Sequence, residues 1–187
     1  MNKAHAIRKT VLLHGLVLLI SLSVFGCFTE PTYPNAPQIT FKGISRYTLA
    51  AGTGVGQQKR DSLVITVGFT DGNGDLGNDL PISSSEMNRY RQAGNWGNYK
   101  IRAFRLENKQ YKELSTGENT FLAFPRLSRE GRTGAIEGDL ELKQLYPYTQ
   151  PYKFFPTKYR IQIRDRALNV SNEIETDTIS VPYLYKD

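Results

Sequence analysis

From residue 38 onward, the chain alternates apolar and polar residues in short runs, which are separated by clusters of Gly, Asn, Asp and Pro. Successive side chains of a β-strand point to opposite faces, so a period of two is typical of strands with one buried face. Five runs predict the best-defined strands: 62–70, 98–106, 135–142, 157–165 and 172–181. Weaker alternation predicts strands near 38–49 and 119–127, and the stretch 83–92 predicts one short helix.

About seven short antiparallel strands in one domain, 38–187, favour an all-β, immunoglobulin-like β-sandwich, with a barrel as the alternative. Strand 62–70 would direct four apolar side chains inward: Leu63, Ile65, Val67 and Phe69.

Strand 157–165 carries a polar row on its other face, formed by Lys158, Arg160, Gln162 and Arg164. Pairing Ile161 with Ile174 in a hairpin would place Lys158 beside Asp177 and Arg160 beside Glu175. This row is therefore interpreted as a solvated, neutralised face rather than an anion-binding stripe.

The N-terminal segment has the layout of a signal peptide, because three basic residues precede an apolar run at 11–25 and no acidic residue is present. The run is shorter than the roughly 20 residues that span a bilayer core. It leads into Val24-Phe25-Gly26-Cys27, which resembles a bacterial lipobox and contains the only cysteine of the chain. We expect residues 1–26 to be a lipoprotein signal peptide and Cys27 to carry the lipid, with ordinary secretion or an uncleaved anchor as alternatives.

Residues 27–37 contain prolines at a three-residue spacing, which favours an extended tether between the lipid and the domain. Cleavage after residue 26 removes three of the 24 basic residues and none of the 18 acidic ones, which leaves a net charge of about +3. No nucleic-acid-binding motif accompanies this mild charge, so no nucleic-acid partner is expected.

Cleavage also removes His5 and His14, the only histidines, and lipidation would consume the only thiol. The mature chain therefore cannot build a Ser-His-Asp triad, a Cys-His pair or a His/Cys zinc site. We expect no enzymatic activity. The alternative is a carboxylate-dependent carbohydrate-active or hydrolytic domain, which would need two acids at a defined separation in a cleft.

The loop 71–79, DGNGDLGND, places Asp71, Asn73 and Asp75 at the alternating spacing of a calcium loop. It lacks the glycine and the bidentate Glu of an EF-hand. Any calcium site would therefore need ligands from elsewhere, and the nearest candidates are Asp79, Asp165 and Asn169. The predicted topology puts this loop at the same end of the sandwich as 165–172. The alternative interpretation is that Gly, Asn and Asp only serve the sharp turn.

Two long connections, 78–98 and 143–157, are candidate binding surfaces and should lie at opposite ends of the sandwich. Tyr90, Arg91 and Trp96 in the first could contact a glycan or an envelope protein. The Tyr and Phe residues of the second could instead only cover an open end of the core.

The DGNGDLG loop, the closing RDRALNVSNEIET segment and the lipobox with its Pro-rich tether resemble envelope lipoproteins of Bacteroidota. The resemblance implies an immunoglobulin- or cadherin-like sandwich that is lipid-anchored in the bacterial cell envelope, in the outer membrane. The expected function is a non-catalytic binding or accessory module attached to the membrane through its lipid. A structural spacer without a ligand is a third possibility.

Overall fold

The computed structural model describes residues 31–114, 121–128 and 133–184, so the predicted signal peptide and Cys27 lie outside the described residues. The described chain contains eight strands and one helix: β1 (Gln38–Leu49), β2 (Arg60–Asp71), α1 (Ser84–Gln92), β3 (Tyr99–Glu107), β4 (Gln110–Glu113), β5 (Ile136–Pro147), β6 (Tyr152–Ile163), β7 (Ile174–Glu175) and β8 (Ile179–Leu184). Among the described residues, no helix is long and apolar enough to cross a membrane.

The strands form two antiparallel sheets that pack face to face, which confirms the immunoglobulin-like β-sandwich. One sheet has the order β1-β2-β5. The other has the order β4-β3-β6, with β7 and β8 pairing successive parts of β6 on its far side.

The core lies between the two sheets and is built from the predicted inward positions. Leu63, Ile65 and Val67 of β2 are fully buried, as are the inward residues of β6: Tyr159, Ile161 and Ile163. Since every second residue of each strand faces inward, the period-two pattern correctly identified the buried face.

The predicted register of the last hairpin is confirmed, because Ile161 pairs with Ile174 and Arg160 with Glu175. The single strand predicted at 172–181 is wrong, however, since the ladder stops after Glu175 and resumes at Ile179. At the break, Thr176 bonds Tyr159 through both its backbone N–H (2.9 Å to the carbonyl oxygen) and its side chain, whose Oγ1 accepts from the Tyr159 amide at 3.1 Å. A side chain thus replaces one backbone acceptor of the ladder.

The break also changes the ion pairs on the outer face of β6. Lys158 does not lie beside Asp177 as predicted. Its Nζ is 2.9 Å from Oε1 of Glu175, whose Oε2 accepts from Arg160 Nε at 3.0 Å. The prediction of a neutralised face is therefore confirmed for Lys158 and Arg160, although Glu175 pairs with both of them.

Two of the predicted irregular or weak segments differ from the structure. Within 119–127, the described residues make only isolated bridges, at Leu122 and Pro125, rather than a strand, since proline cannot donate to a ladder. The connection predicted at 143–157 is mostly strand, and only 148–151 link β5 to β6.

The short strand β4 was not predicted. It pairs with β3 in a hairpin whose turn is formed by Asn108 and Lys109, and both of these residues have positive φ (49° and 66°). This is the conformation of a tight hairpin turn, but Asn-Lys lacks the glycine that usually marks one in a sequence.

The sandwich has two distinct ends. Strands β2 and β5 pair over their full length, from Asp71 with Ile136 to Arg60 with Pro147, which is about 40 Å for twelve residues. We call the end at Asp71 and Ile136 the loop end; it carries the connections 72–98 and 164–173. We call the end at Arg60 and Pro147 the hairpin end; it carries the connections 50–59 and 148–151.

The chain enters the domain at the loop end. The Gly72 amide donates to the Pro34 carbonyl oxygen at 2.9 Å, and the Tyr33 hydroxyl donates to Glu137. The second half of the predicted tether therefore contacts the domain. Only residues 27–32 of the predicted tether come before these contacts in the sequence.

Candidate metal centre at the loop end

Three carboxylates meet at the loop end, as the predicted topology required. Asp71 is the last residue of β2, Asp75 lies in the turn that follows, and Asp165 is the second residue after β6. One oxygen from each lies within 4.8 Å of the others. The two loops are joined by a bridge between Leu76 and Asp165 and by the Arg166 amide, which donates to the Asp75 carbonyl oxygen at 3.2 Å.

Glycine is required at two positions of the first loop. Gly74 and Gly77 have φ of 68° and 82°, in the left-handed region that disfavours other residues. A Cβ atom would also lie 2.4 Å from the Gly134 carbonyl oxygen at the first position and 2.1 Å from that of Pro125 at the second. The glycines therefore let the loop fold back and bring Asp75 toward Asp71.

The three carboxylates accept hydrogen bonds from the loops. Asp71 Oδ2 accepts from the Asp75 amide at 2.9 Å, and Asp75 Oδ2 accepts from the Ala167 amide at 3.2 Å. Asp165 accepts from the backbone and side-chain nitrogens of Asn169 at 2.8 and 2.7 Å. Among the described residues, no Lys or Arg nitrogen forms an ion pair with any of the three, so their negative charges have no cationic partner there.

This environment perturbs the acidities. Burial raises the pKa of Asp71 to about 6, and the charges of Asp75 and Asp165 add to the effect. Burial also raises the pKa of Asp165, against the hydrogen bonds from Asn169 that stabilise its ionised form. Buried carboxylates that repel one another favour either a proton or a bound cation between them.

The asparagines of the two loops lie beside this triad. With its nitrogen toward the carboxylates, the Asn73 amide is 3.2 Å from both oxygens of Asp71 and 2.8 Å from Oδ1 of Asp75. The opposite orientation would present its oxygen to the same point. Asn169 donates to Asp165 and so orients that carboxylate.

Asp79, the fifth predicted ligand, is not part of the triad. Its exposed carboxylate pairs with Arg126, at 2.7 Å from Nε to Oδ1 and 2.7 Å from Nη2 to Oδ2. The prediction of Asp79 as a ligand is wrong, because the chain turns away after the bridge at Leu76 and directs this side chain to solvent.

Arg164 contradicts the predicted polar row, since it is fully buried. Its guanidinium donates to the carbonyl oxygens of Gly97 and Ala93 at 2.8 Å each, of Tyr90 at 3.3 Å and of Trp96. It also lies over the rings of Tyr90 and Trp96, at 4.5 and 4.1 Å from their centroids. The connection after α1 covers the end of β6, so a position that alternation assigns to solvent becomes the anchor of that connection.

The predicted binding residues Tyr90, Arg91 and Trp96 differ in how far they are exposed. Tyr90 is fully buried and its hydroxyl donates to Asn78 Oδ1 at 2.5 Å, so its prediction as an exposed binding residue is wrong. Trp96 is half-buried against Arg164, and Arg91 is exposed and stacks on Phe121. Tyr90 is the one buried residue of α1. Its exposed neighbours in the sequence did not indicate that it would be buried.

A buried amide pair was also missed. The Asn98 amide donates to Asn78 Oδ1 and to the Phe124 carbonyl oxygen at 3.0 Å, and its oxygen accepts from the Phe124 amide at 2.9 Å. This pair ties both ends of the connection 78–98 to the segment 121–128. No periodic pattern marks such a contact, because it depends on three separate loops.

The domain is thus an all-β, immunoglobulin-like sandwich with an acidic triad at one end, which could hold a metal ion. In comparisons with known proteins, no family model, no curated protein and no solved structure matches this chain.

Proposed function

We propose that this chain is a lipid-anchored, non-catalytic binding or accessory module of a bacterial envelope, in the outer membrane, and a relative of Bacteroidota lipoproteins. The lipobox at Cys27 supports the anchor. The observation that supports a non-catalytic role is the burial and close spacing of the acidic triad. Asp71 and Asp165 are fully buried, and the three carboxylates are within 4.8 Å, which leaves no space for a sugar between them.

We further propose that the triad holds calcium, which would keep the two connections of the loop end in shape. The available ligands are oxygens from carboxylates and amides, which suit a hard cation. Asp71, Asp75 and Asp165 would supply the charge, and Asn73 could add its amide oxygen after reorientation. The lack of a cationic partner among the described residues makes a bound cation the stabilising occupant.

The carboxylate-dependent hydrolase remains the second candidate, and one groove is where it can be tested. This groove, about 480 Å³, lies on the outer face of the β1-β2-β5 sheet and is lined by Glu137 and Asp139 around Gly68. Its two carboxylates are already engaged, since Glu137 accepts from Tyr33 and Asp139 is 4.0 Å from Lys42 Nζ. Both carboxylates therefore already have partners within the domain, which disfavours them as a pair of free catalytic acids.

Fractionation of the native and Cys27→Ser chains tests the anchor. We expect the native chain in the membrane fraction and the variant in the soluble fraction after signal cleavage. Membrane association of both to the same extent would contradict a lipid anchor.

Calorimetry of the full chain in detergent tests the metal. We expect Asp75→Asn to weaken calcium binding at least tenfold, because it removes a ligand charge. Asp79→Asn is the matched control from the same loop and should leave the affinity unchanged. Equal effects of both variants, or no heat at millimolar calcium, would contradict the calcium site.

A further inference from the structure

The hairpin end presents aromatic rings together with cations. Tyr148, Tyr152 and Phe154 pack edge to face, with centroid distances of 4.8, 5.9 and 5.9 Å. Arg46 lies 5.1 Å from the centre of the Phe154 ring and Lys59 lies 4.8 Å from that of Tyr148. We call these five residues the aromatic-cationic cluster.

Large apolar side chains are exposed at the cluster. Phe154 is 44% exposed, and Leu184 of β8, which pairs with Tyr152, is 48% exposed. In a monomeric protein, a concentration of exposed apolar side chains marks an interaction surface.

Two described segments at this end are basic. Residues 46–60 and 143–157 contain five basic residues and no acidic residue. The adjacent Asp61 is fully buried, where it accepts from Thr48 at 2.8 Å and from Tyr148 at 3.0 Å. Its second oxygen lies 3.6 Å from Arg46 Nε, so it orients the arginine from below and adds no negative charge to the surface.

Lys59 is the cation least committed within the domain. Its side chain is exposed, and among the described residues no carboxylate oxygen lies within 4.0 Å of its Nζ. A cation held over an aromatic ring in this way can bind an anion without first breaking an ion pair.

We propose that the hairpin end binds an anionic glycan, a polymer that carries carboxylates on its sugar rings. The exposed ring of Phe154 would pack against the apolar faces of pyranose rings, and Lys59 and Arg46 would bind the carboxylates. The site should prefer an acidic glycan to a neutral one, because an acidic glycan would contact both the rings and the cations and a neutral glycan only the rings. This inference deepens the proposed binding function and rests on it.

Binding of the full chain in detergent to polygalacturonate tests the proposal, with dextran as the neutral probe. We expect polygalacturonate to bind at least tenfold more tightly than dextran, and the affinity to fall when salt is raised from 50 to 500 mM. Lys59→Gln should weaken binding about two- to fivefold, as expected for one exposed charge. Phe154→Leu, which removes the exposed ring of the cluster and keeps an apolar side chain, should weaken the binding of both probes.

Lys100→Gln is the matched control, because Lys100 lies 5.9 Å from the centre of the Trp96 ring at the opposite end of the sandwich. It should change neither affinity, and all variants should keep the unfolding temperature of the native chain. Equal effects of Lys59→Gln and Lys100→Gln, or equal binding of the two probes, would overturn the assignment. A cross-linked protein at the hairpin end without polygalacturonate binding would also overturn it, although the proposed binding function would stand. If the native chain carries no lipid but still binds polygalacturonate, the proposed anchor would be overturned and the glycan assignment would stand.

Discussion

The two ends of the sandwich use charge in opposite ways. At the loop end, carboxylates and an arginine are drawn inside, where Asp71, Asp165 and Arg164 are all buried. At the hairpin end, cations and aromatic rings such as Lys59 and Phe154 lie exposed. Buried charge has to be matched by partners and therefore determines the shape of the loops. Exposed charge contributes little to stability and remains available for a ligand.

The difference follows from the local sequence. Glycine and asparagine at the loop end allow the backbone to fold back on itself and to present its own N–H and C=O groups to the charged side chains. The hairpin end has prolines and aromatic residues in strands, which extend to the tip and leave the side chains outside. Substitutions at each end should accordingly affect stability at the first and binding at the second.

The largest effect is expected from Arg164→Met, which leaves four carbonyl oxygens without their donor. We expect a loss of about 3–5 kcal/mol in the free energy of unfolding, because the buried acceptors lose a charged partner. Urea unfolding measures it. Arg160→Met, four residues earlier on the outer face of β6 and only half-buried, should cost under about 1 kcal/mol. Equal losses would contradict the assigned role of Arg164.

The next effect is a dependence of stability on pH in the presence of a chelator. Asp71 has a pKa of about 6 when folded, against an ordinary value of 3.8, so the folded state holds its proton more tightly. Stability should therefore fall as the pH rises from about 4 to about 6 and stay low above, by at most about 3 kcal/mol. Asp71→Asn should flatten the thermal unfolding profile across this window, whereas an unchanged profile would remove Asp71 as its cause.

Calcium should reverse this loss at neutral pH. At a hundred times its dissociation constant, a ligand that binds only the folded state adds about 2.7 kcal/mol. For a domain of this size, the unfolding temperature should rise by about 5–10 °C at pH 7. The rise should be much smaller at pH 4.5, where the protonated Asp71 opposes the metal. An equal rise at both pH values would indicate that calcium acts elsewhere.

The smallest effect is expected on the outer face of β6, where Glu175 pairs with Lys158 and Arg160. Glu175→Gln should lower the free energy of unfolding by about 0.2–1 kcal/mol, and the loss should shrink at high salt. A loss above 2 kcal/mol would mean that this face is not the solvated surface described above.

The sequence predicted those features that depend on neighbours along the chain. The period of two correctly identified the buried residues of β2 and β6, and a register based on Ile161 and Ile174 was confirmed. The convergence of Asp71, Asp75 and Asp165 also followed from the topology, because both loops leave the same end of the sandwich.

The features that were missed depend on groups distant in sequence. Arg164 has the position of an exposed residue in its strand, and only the carbonyl oxygens of 90–97 make it a buried one. Asp79 has a suitable spacing, yet Arg126 lies nearby to pair with it. Tertiary contacts of this kind override local patterns, and a single sequence contains no signal for them.

The whole assignment of function depends on a lipid at Cys27, which mass spectrometry of the native protein tests most directly. The account predicts an N-terminal peptide that begins at Cys27 and carries the mass of its acyl chains. A peptide that retains residues 1–26, or one with an unmodified Cys27 thiol, would contradict it.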